Sequence, residues 1–417
     1  MATIDNPEPV VIVPAEGDAL AAKAAALDLS EPKSSDATKS TATASTALDD
    51  TSPKAASKDV ATTDEKAPVA ATEPAKVAEV AKPIEPTQPS GPRLTPIEHP
   101  TPTSKPLLRA ELTETEETKY TELLTTVKTW TEIPTTSAAS TPAEPINDGD
   151  RLFLTRDCLL RYLRATKWDV PSSAKRLLAT LTWRREYGLV GFTHSYISPE
   201  NETGKQVLLG FDNEGRPCLY LNPSRQNTER SEKQLHHLFY MVERVVDLMV
   251  PGQETLALLV NFMDTRKGQG ASVAQARTVM SVLQNHYPER LGRALITDLP
   301  WYISAFFKMI SPFIDPHTRT KLKFNEPMTN YVPAEQLLTP FGGKLEFEYK
   351  HDVYWPALDA LCTQRRQEYF DRWVKAGKEI GECETYLRGG DKASVHANKT
   401  EPEAVQGATE PINTTID

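Results

Sequence analysis

Hydrophobic positions recur along this chain first with a helical period and then with alternating helical and strand-like patterns. Between Thr115 and Trp130, residues Tyr120, Leu123, Leu124 and Val127 fall on one side of a helix. Thr131–Pro145, rich in Thr, Ser and Pro, reads as a loop. In Asp150–Trp168, Leu159, Leu160 and Leu163 make a core face, leaving Arg156, Arg161 and Arg164 for solvent or partner contacts. Asp169-Val-Pro-Ser breaks that helix, and Pro171 suits the first turn of another. The new helix carries Ala174, Leu177, Leu178 and Leu181, with Trp183 and Tyr187 beyond.

The pattern then changes. Lys205–Phe211 and Pro217–Leu221 are strand-like and flank an Asp212-Asn-Glu-Gly-Arg turn, which predicts a hairpin. From Glu229, residues Leu235, Leu238, Phe239, Val242, Val245, Val246 and Met249 return to helical spacing until Pro251-Gly. The continuous apolar run Leu256–Phe262 suits a central strand covered on both faces. Ser272–Tyr287 is helical again, through Val273, Ala276, Met280 and Leu283, and Arg293–Thr297 is the next strand. Asp352–Ile380 is a long helical region with Trp355, Leu358, Cys362, Tyr369, Trp373 and Ala376 in an irregular packing stripe. Strands alternating with helices of this length predict an α/β sheet with crossover helices.

Composition sets the outer boundaries. No Phe, Trp or Tyr precedes Tyr120, and the first hundred residues hold 13 of the 33 prolines. Such a stretch buries too little apolar surface to offset chain ordering. Residues 1–114 are therefore expected to be a disordered low-complexity tail, and 387–417 a second one. Between them lie a helical lobe (115–190), a main domain (191–350) and a C-terminal helical region (351–386). The net charge of -10 disfavours nonspecific nucleic-acid binding. Cys158, Cys218, Cys362 and Cys383 are far apart and form no C-x-x-C, which disfavours a disulfide scaffold or structural zinc. The opening MATIDNPEP lacks the form of a signal peptide, and no apolar run approaches membrane-span length. The expectation is a cytoplasmic, soluble protein able to touch membranes peripherally.

No enzyme pattern is coherent. Thr203-Gly-Lys is a fragment of a phosphate-binding loop, no G-x-S-x-G occurs, and Gly268-Gln-Gly is too short for a dinucleotide site. His236 and His237 are adjacent on a helix and read as surface and edge residues rather than a metal pair. Neither a metal nor a cofactor is expected. Glu289 and Arg290, where a helix meets a strand, are either an ion pair holding the turn or a polar cavity wall. Trp301–Phe313 is either an ordinary core helix or a gate. Phe306, Phe307, Met309, Ile310 and Phe313 give it a large apolar surface, with Pro300 and Pro312 as boundaries. Thr318 and Lys321 can share a helical face as hydroxyl and cation, or simply form a solvated helix start. Phe341-Gly-Gly is a turn.

The ordered series LLRYLRATKWDV (Leu159–Val170), GRPCLYL (Gly215–Leu221), HYPERLGRALITDLPW (His286–Trp301), SPFIDPHTRTKLKF (Ser311–Phe324) and FGGK (Phe341–Lys344) resembles the fungal CRAL-TRIO lipid-transfer proteins of the phosphatidylinositol-transfer type. The resemblance spans about residues 115–380, and 256–324 is most similar to the pleiotropic-drug-resistance subgroup. It implies a CRAL-TRIO fold, with a mixed sheet, an N-terminal helical lobe and an internal cavity for one lipid. It also implies phosphatidylinositol as ligand, exchanged with sterol or phosphatidylcholine, and a link to azole tolerance. By resemblance, Glu289, Thr318 and Lys321, with Arg290 beside them, hold the phosphoinositol head. Trp301, Phe306, Phe307, Ile310 and Phe313 belong to the lipid gate. Endoplasmic reticulum, lipid droplets and plasma membrane are the expected peripheral locations. Thr166 stands where some family members have Arg. Presentation of phosphatidylinositol to a lipid kinase, or a pure binding scaffold, are the rival readings.

Overall fold

A computed structural model describes residues 91–396, except Ala139, Lys267, Gly268, Ala271, 302–303 and 305–315. The helical lobe contains α1 (Glu114–Lys128), a ribbon of β1 (Glu132–Pro134) and β2 (Ala143–Pro145), α2 (Asp148–Phe153), α3 (Arg156–Ala165) and α4 (Val170–Glu186). Its starts are written locally. Thr113 and Glu116 form a reciprocal capping box on α1, and Asp169 caps α4, whose first turn holds Pro171. The apolar faces read from the sequence meet as one cluster that includes Tyr120, Leu123, Val127, Leu159, Leu163, Leu177 and Leu181. The ribbon lies inside the segment expected to be a loop.

After the short α5 (His194–Ile197), β3 (Gln206–Phe211) and β4 (Pro217–Leu221) form the expected antiparallel hairpin. Helix α6 (Glu232–Asp247) leads to β5 (Leu256–Asn261), and α7 (Val273–His286) to β6 (Leu291–Thr297). Helix α8 (Pro316–Lys321) runs into β7 (Leu322–Phe324). The sheet order is β3-β4-β5-β6-β7, so the apolar run LALLVN is the central strand. Beyond the hairpin every pairing is parallel, with Leu219 level with Leu258, Val260 with Ile296, and Ala294 with Leu322. The sheet is therefore mixed, within an α/β fold.

Residues level in a parallel register share a face. Cys218, Tyr220, Ala257, Leu259 and Leu295 make one face, where the Tyr220 ring meets Phe341 edge-on at 4.8 Å. The loop-rich segment 328–345 covers this face through Met328, Val332, Leu337 and Leu338. At its FGGK turn, Gly342 takes a left-handed backbone (φ 89°), and a Cβ on Gly343 would collide with the Leu337 carbonyl, so one glycine is required for conformation and the other for space. Helix α9 (His351–Lys375) adds Trp355, Leu358 and Cys362 to the main core. Its Tyr354 hydroxyl donates to the Leu208 carbonyl at 2.7 Å and accepts from the Leu208 amide at 2.8 Å. The last short helix is α10 (Glu384–Leu387).

Several expectations need correction. The ordered chain begins before residue 114. Arg93 N donates to Glu346 O at 2.9 Å, Gln336 Nε2 donates to His99 O at 3.1 Å, and Ile97 packs on the main core. This strap is held by backbone hydrogen bonds and scattered apolar contacts, so its lack of aromatics did not reveal it. At the other end, Leu387 is fully buried and Val395 N donates to Glu382, which moves the boundary past 387. His237 is buried rather than at the helix surface or edge. Met280 is 38% exposed, and α7 packs instead through Val279, Val282 and Leu283. All four cysteines are buried free thiols.

The seam between α4 and the end of α7 is titratable. The His286 ring stacks on Trp183 at 4.4 Å, and its Nδ1 lies 3.1 Å from Thr180 Oγ1. Burial, reinforced by Arg176 and Arg184, pushes its pKa from 6.5 down to about 4. The unfolded chain thus binds a proton that the folded chain refuses between those values, so stability falls as pH drops through that window. Discounted for partial exposure, about 1 kcal/mol should be lost between pH 7.5 and pH 5. Urea unfolding of the parent and of His286→Gln checks this. An equal loss in both proteins would remove His286 as the cause.

Candidate functional site

The other face of the sheet carries a second, smaller apolar cluster, which touches the main core through Leu221, Leu258 and Leu291. Val260, Ala294 and Ile296 are its buried centre, and Leu221, Leu258, Phe262, Leu291, Leu299 and Leu322 pack around them only partly buried. The alternation within β5 and β6 gives this face its residues, because each strand presents every second side chain to each side. Just beyond the C-terminal ends of β5, β6 and β7, Asp264, Asp298 and Asn325 adopt left-handed backbone (φ 59°, 53° and 53°), a conformation short polar side chains tolerate. Large apolar side chains are exposed along the same edge: Met263 at 50%, Trp301 at 82% and Phe324 at 40%. Trp301 is therefore not a core residue. Phe306, Phe307, Ile310 and Phe313 lie outside the described residues.

At the opposite strand ends, Glu289 has φ 55°, a strained choice for a glutamate. The turn sends Glu289 and Arg290 to different partners. Glu289 Oε2 accepts from Arg164 Nε at 2.6 Å and lies 3.8 Å from Arg109 Nη2. Arg290 Nη1 donates to the Glu254 carbonyl at 2.9 Å. The two do not form a single clamp. The ion-pair reading of Glu289 has a counterpart in Arg164, which belongs to the helical lobe and was expected to face solvent or a partner. Arg164 also reaches Glu254 at 3.0 Å, and Arg109 of the strap reaches Glu254 at 2.7 Å. Burial raises the Glu254 pKa, but Arg161, Arg164 and Arg109 outweigh it and hold the carboxyl below its ordinary value.

Thr318 and Lys321 both lie on α8, as their spacing predicts. Lys321 ends α8 immediately before β7, which pairs with β6 over Ala294–Ile296, and Glu289 lies just before β6 in the chain. Thr166 is a capping residue: its hydroxyl meets Ser173 Oγ at 2.6 Å and donates to Tyr162 O at 3.0 Å. Sequence reading missed Arg109, Glu254 and Glu384. Arg109 was assigned to a tail, and the two glutamates stand in no local motif. Arg161, expected at the surface, is 3% exposed and pairs with Glu254 and Glu384. No group of side chains suited to a metal occurs among the described residues. No helix among them is long and apolar enough to cross a membrane.

Fold and site define an α/β protein whose mixed sheet carries a second apolar cluster on one face, with a helical lobe joined to it by buried charges. The CRAL/TRIO domain profile matches residues 201–343, and the CRAL/TRIO N-terminal domain profile matches residues 119–179. A CRAL-TRIO domain-containing protein of Schizosaccharomyces pombe is 51% identical over 281 residues, covering 67% of this chain but 28% of that protein. Phosphatidylinositol transfer protein PDR17 of Saccharomyces cerevisiae is 40% identical over 257 residues, covering 59% of this chain and 73% of that protein. The SEC14 cytosolic factor of Candida glabrata is 28% identical over 214 residues, covering 46% of this chain and 71% of that protein. Among solved structures, that of Sfh5 has a TM-score of 0.41 at 15% identity, covering 62% of this chain and all of that one. The chain belongs to the CRAL/TRIO family, in the group of fungal proteins similar to PDR17.

Proposed function

We propose that this protein binds phosphatidylinositol noncovalently and carries it between membranes, with sterol as a second ligand exchanged for it. The observation that carries the reading is the partly open apolar face built by Leu221, Leu258, Val260, Ala294, Ile296 and Leu322. In this reading the face is the floor of an acyl-chain compartment. Each methylene laid on such a floor gains about 0.8 kcal/mol relative to water. A bilayer shelters it equally well, so selectivity must come from the polar head. Glu289 accepts inositol hydroxyls, while Lys321 and Thr318 receive the phosphate. Arg290 is left out of this set because its guanidinium turns away from Glu289. The exposed edge of Met263, Trp301 and Phe324 is the part that touches a bilayer during exchange. The 40% identity to a protein named for phosphatidylinositol transfer supports the choice of ligand.

Native mass spectrometry of the purified protein should release phosphatidylinositol and a smaller sterol population. In vesicle-to-vesicle assays, Glu289→Ala and Lys321→Ala should each slow phosphatidylinositol transfer roughly tenfold or more, because a hydrogen bond to a charged group contributes about 1.5–3 kcal/mol. Sterol transfer should persist, since a sterol has no phosphate. Arg164 keeps Glu254 as a partner when Glu289 is removed, so the fold should hold. Parent-like phosphatidylinositol transfer by both folded variants would refute the headgroup assignment. Phosphatidylinositol binding without transfer, together with stimulation of a lipid kinase, would favour presentation over transport.

A further inference from the structure

A cavity of about 430 Å³ lies between α2, α3, the end of α6 and helices α9 and α10, and it is lined differently from the sheet floor. Its wall contains Arg161, Arg184, Arg290, Arg365, Arg366 and Arg388 against only three carboxylates, Glu243, Asp247 and Glu384. In a chain of net charge -10, that excess of cations is a local feature rather than one of the whole composition. Some of these arginines are satisfied. Arg184 grips Glu243 through two bonds of 2.8 and 3.1 Å, and Arg366 reaches Asp247 at 2.8 Å.

Two deeper ones are held more loosely. Among the described residues Arg290 makes no ion pair and donates to the Glu254 carbonyl at 2.9 Å and the Met249 sulfur at 3.6 Å. Arg388 is 7% exposed in its side chain; its Nη1 donates to the Val246 and Met249 carbonyls at 2.9 and 3.1 Å, while its Nε has no hydrogen-bond partner among the described residues. The carboxylate it reaches is Glu384 at 3.6 Å, already bonded to Arg161 at 2.7 Å. Buried guanidinium groups normally pair, and their fork of donors fits the oxygens of a phosphate. Phe153, Val246 and Phe370 supply apolar wall beside them. The exposed lining residues Gly149, Thr363 and Gln367 mark the mouth.

We infer that this cavity is a second binding site, separate from the sheet floor, for a small organic phosphate with an apolar portion. The phosphate sits against Arg290 and Arg388, and its apolar portion lies along Phe153, Val246 and Phe370. The volume is within the range of small-molecule sites. Because the cavity walls come from the helical lobe, the main domain and the C-terminal helices together, a bound anion would tie the three parts to one another.

The test uses the full chain, titrated by calorimetry with hexyl phosphate and, as the neutral control, hexanol. Hexyl phosphate should bind one-to-one and raise Tm, while hexanol should do neither. Arg290→Met should weaken hexyl phosphate at least tenfold while the variant stays folded, because the side chain it replaces touches a carbonyl and a sulfur and forms no direct ion pair among the described residues. Thr363→Trp, at an exposed position of the mouth, should weaken binding as well. Equal binding of hexanol, or undiminished phosphate binding by both variants, would overturn the inference. So would loss of binding in Lys321→Ala with retention in Arg290→Met, which would place the anion at the proposed lipid-head site.

Discussion

Arg161→Ala should destabilise the protein by about 3–5 kcal/mol, the range for removing one partner of a buried ion pair. The Arg161 guanidinium is 3% exposed and joins Glu254 at 3.0 Å to Glu384 at 2.7 Å. Burial acts to raise the Glu384 pKa, yet Arg161, Arg290 and Arg388 outweigh it and hold the carboxyl well below its ordinary range. The alanine variant leaves that carboxylate in place without its nearest cation. Thr155 Oγ1, which donates to the same oxygen at 2.9 Å, cannot replace a charge. The double variant Arg161→Met with Glu384→Gln should lose clearly less, because it removes the charges together. Urea denaturation at pH 7 reads both values. A loss under about 1 kcal/mol for Arg161→Ala would mean that the network is not what joins the lobe to the sheet.

Leu258→Asp should abolish lipid loading, with at least a hundredfold less lipid recovered from the purified protein. Leu258 stands on the central strand, level with Leu219 on one side and Ala294 on the other, and is only partly buried. A carboxylate there keeps water until acyl chains cover it. Loading would then impose a desolvation penalty of several kcal/mol, enough for such a loss. The next residue gives the contrast. Leu259 points to the other face and is fully buried in the main core, so Leu259→Asp should unfold the chain rather than empty it. Lipid extraction and thermal unfolding of the two variants separate these outcomes. Normal lipid content in folded Leu258→Asp would exclude this face as the floor.

The secondary structure was legible where burial follows a simple period. LALLVNF announced the central strand because apolar layers cover it on both faces, and the Leu159, Leu160, Leu163 spacing announced α3 because one face of that helix meets the lobe core. Arg161 defeated the same logic. An arginine reads as exposed by type, and the partners that allow its burial lie 93 and 223 residues away. The strap beginning at residue 91 was illegible for a different reason: backbone groups hold much of it, and these carry no side-chain signature. In the candidate site, Thr318 and Lys321 share α8 and Glu289 stands where α7 gives way to β6, but a headgroup role for them was legible only through the family resemblance. Adjacency in sequence misled for Arg290, because the left-handed backbone at Glu289 turns the two side chains toward different neighbours.

The ion network also sets a schedule for the newborn chain. Arg161 is synthesised 223 residues before Glu384. At about 5–20 residues per second, the guanidinium waits roughly 10–45 s for its acidic partner to leave the ribosome. The sheet strands and α9 all emerge during that interval, so the lobe can pack its apolar cluster and reach Glu243, Glu254 and Glu289 before the C-terminal turn arrives. A nascent chain halted before α10 would carry a docked lobe with Arg161 short of its second partner.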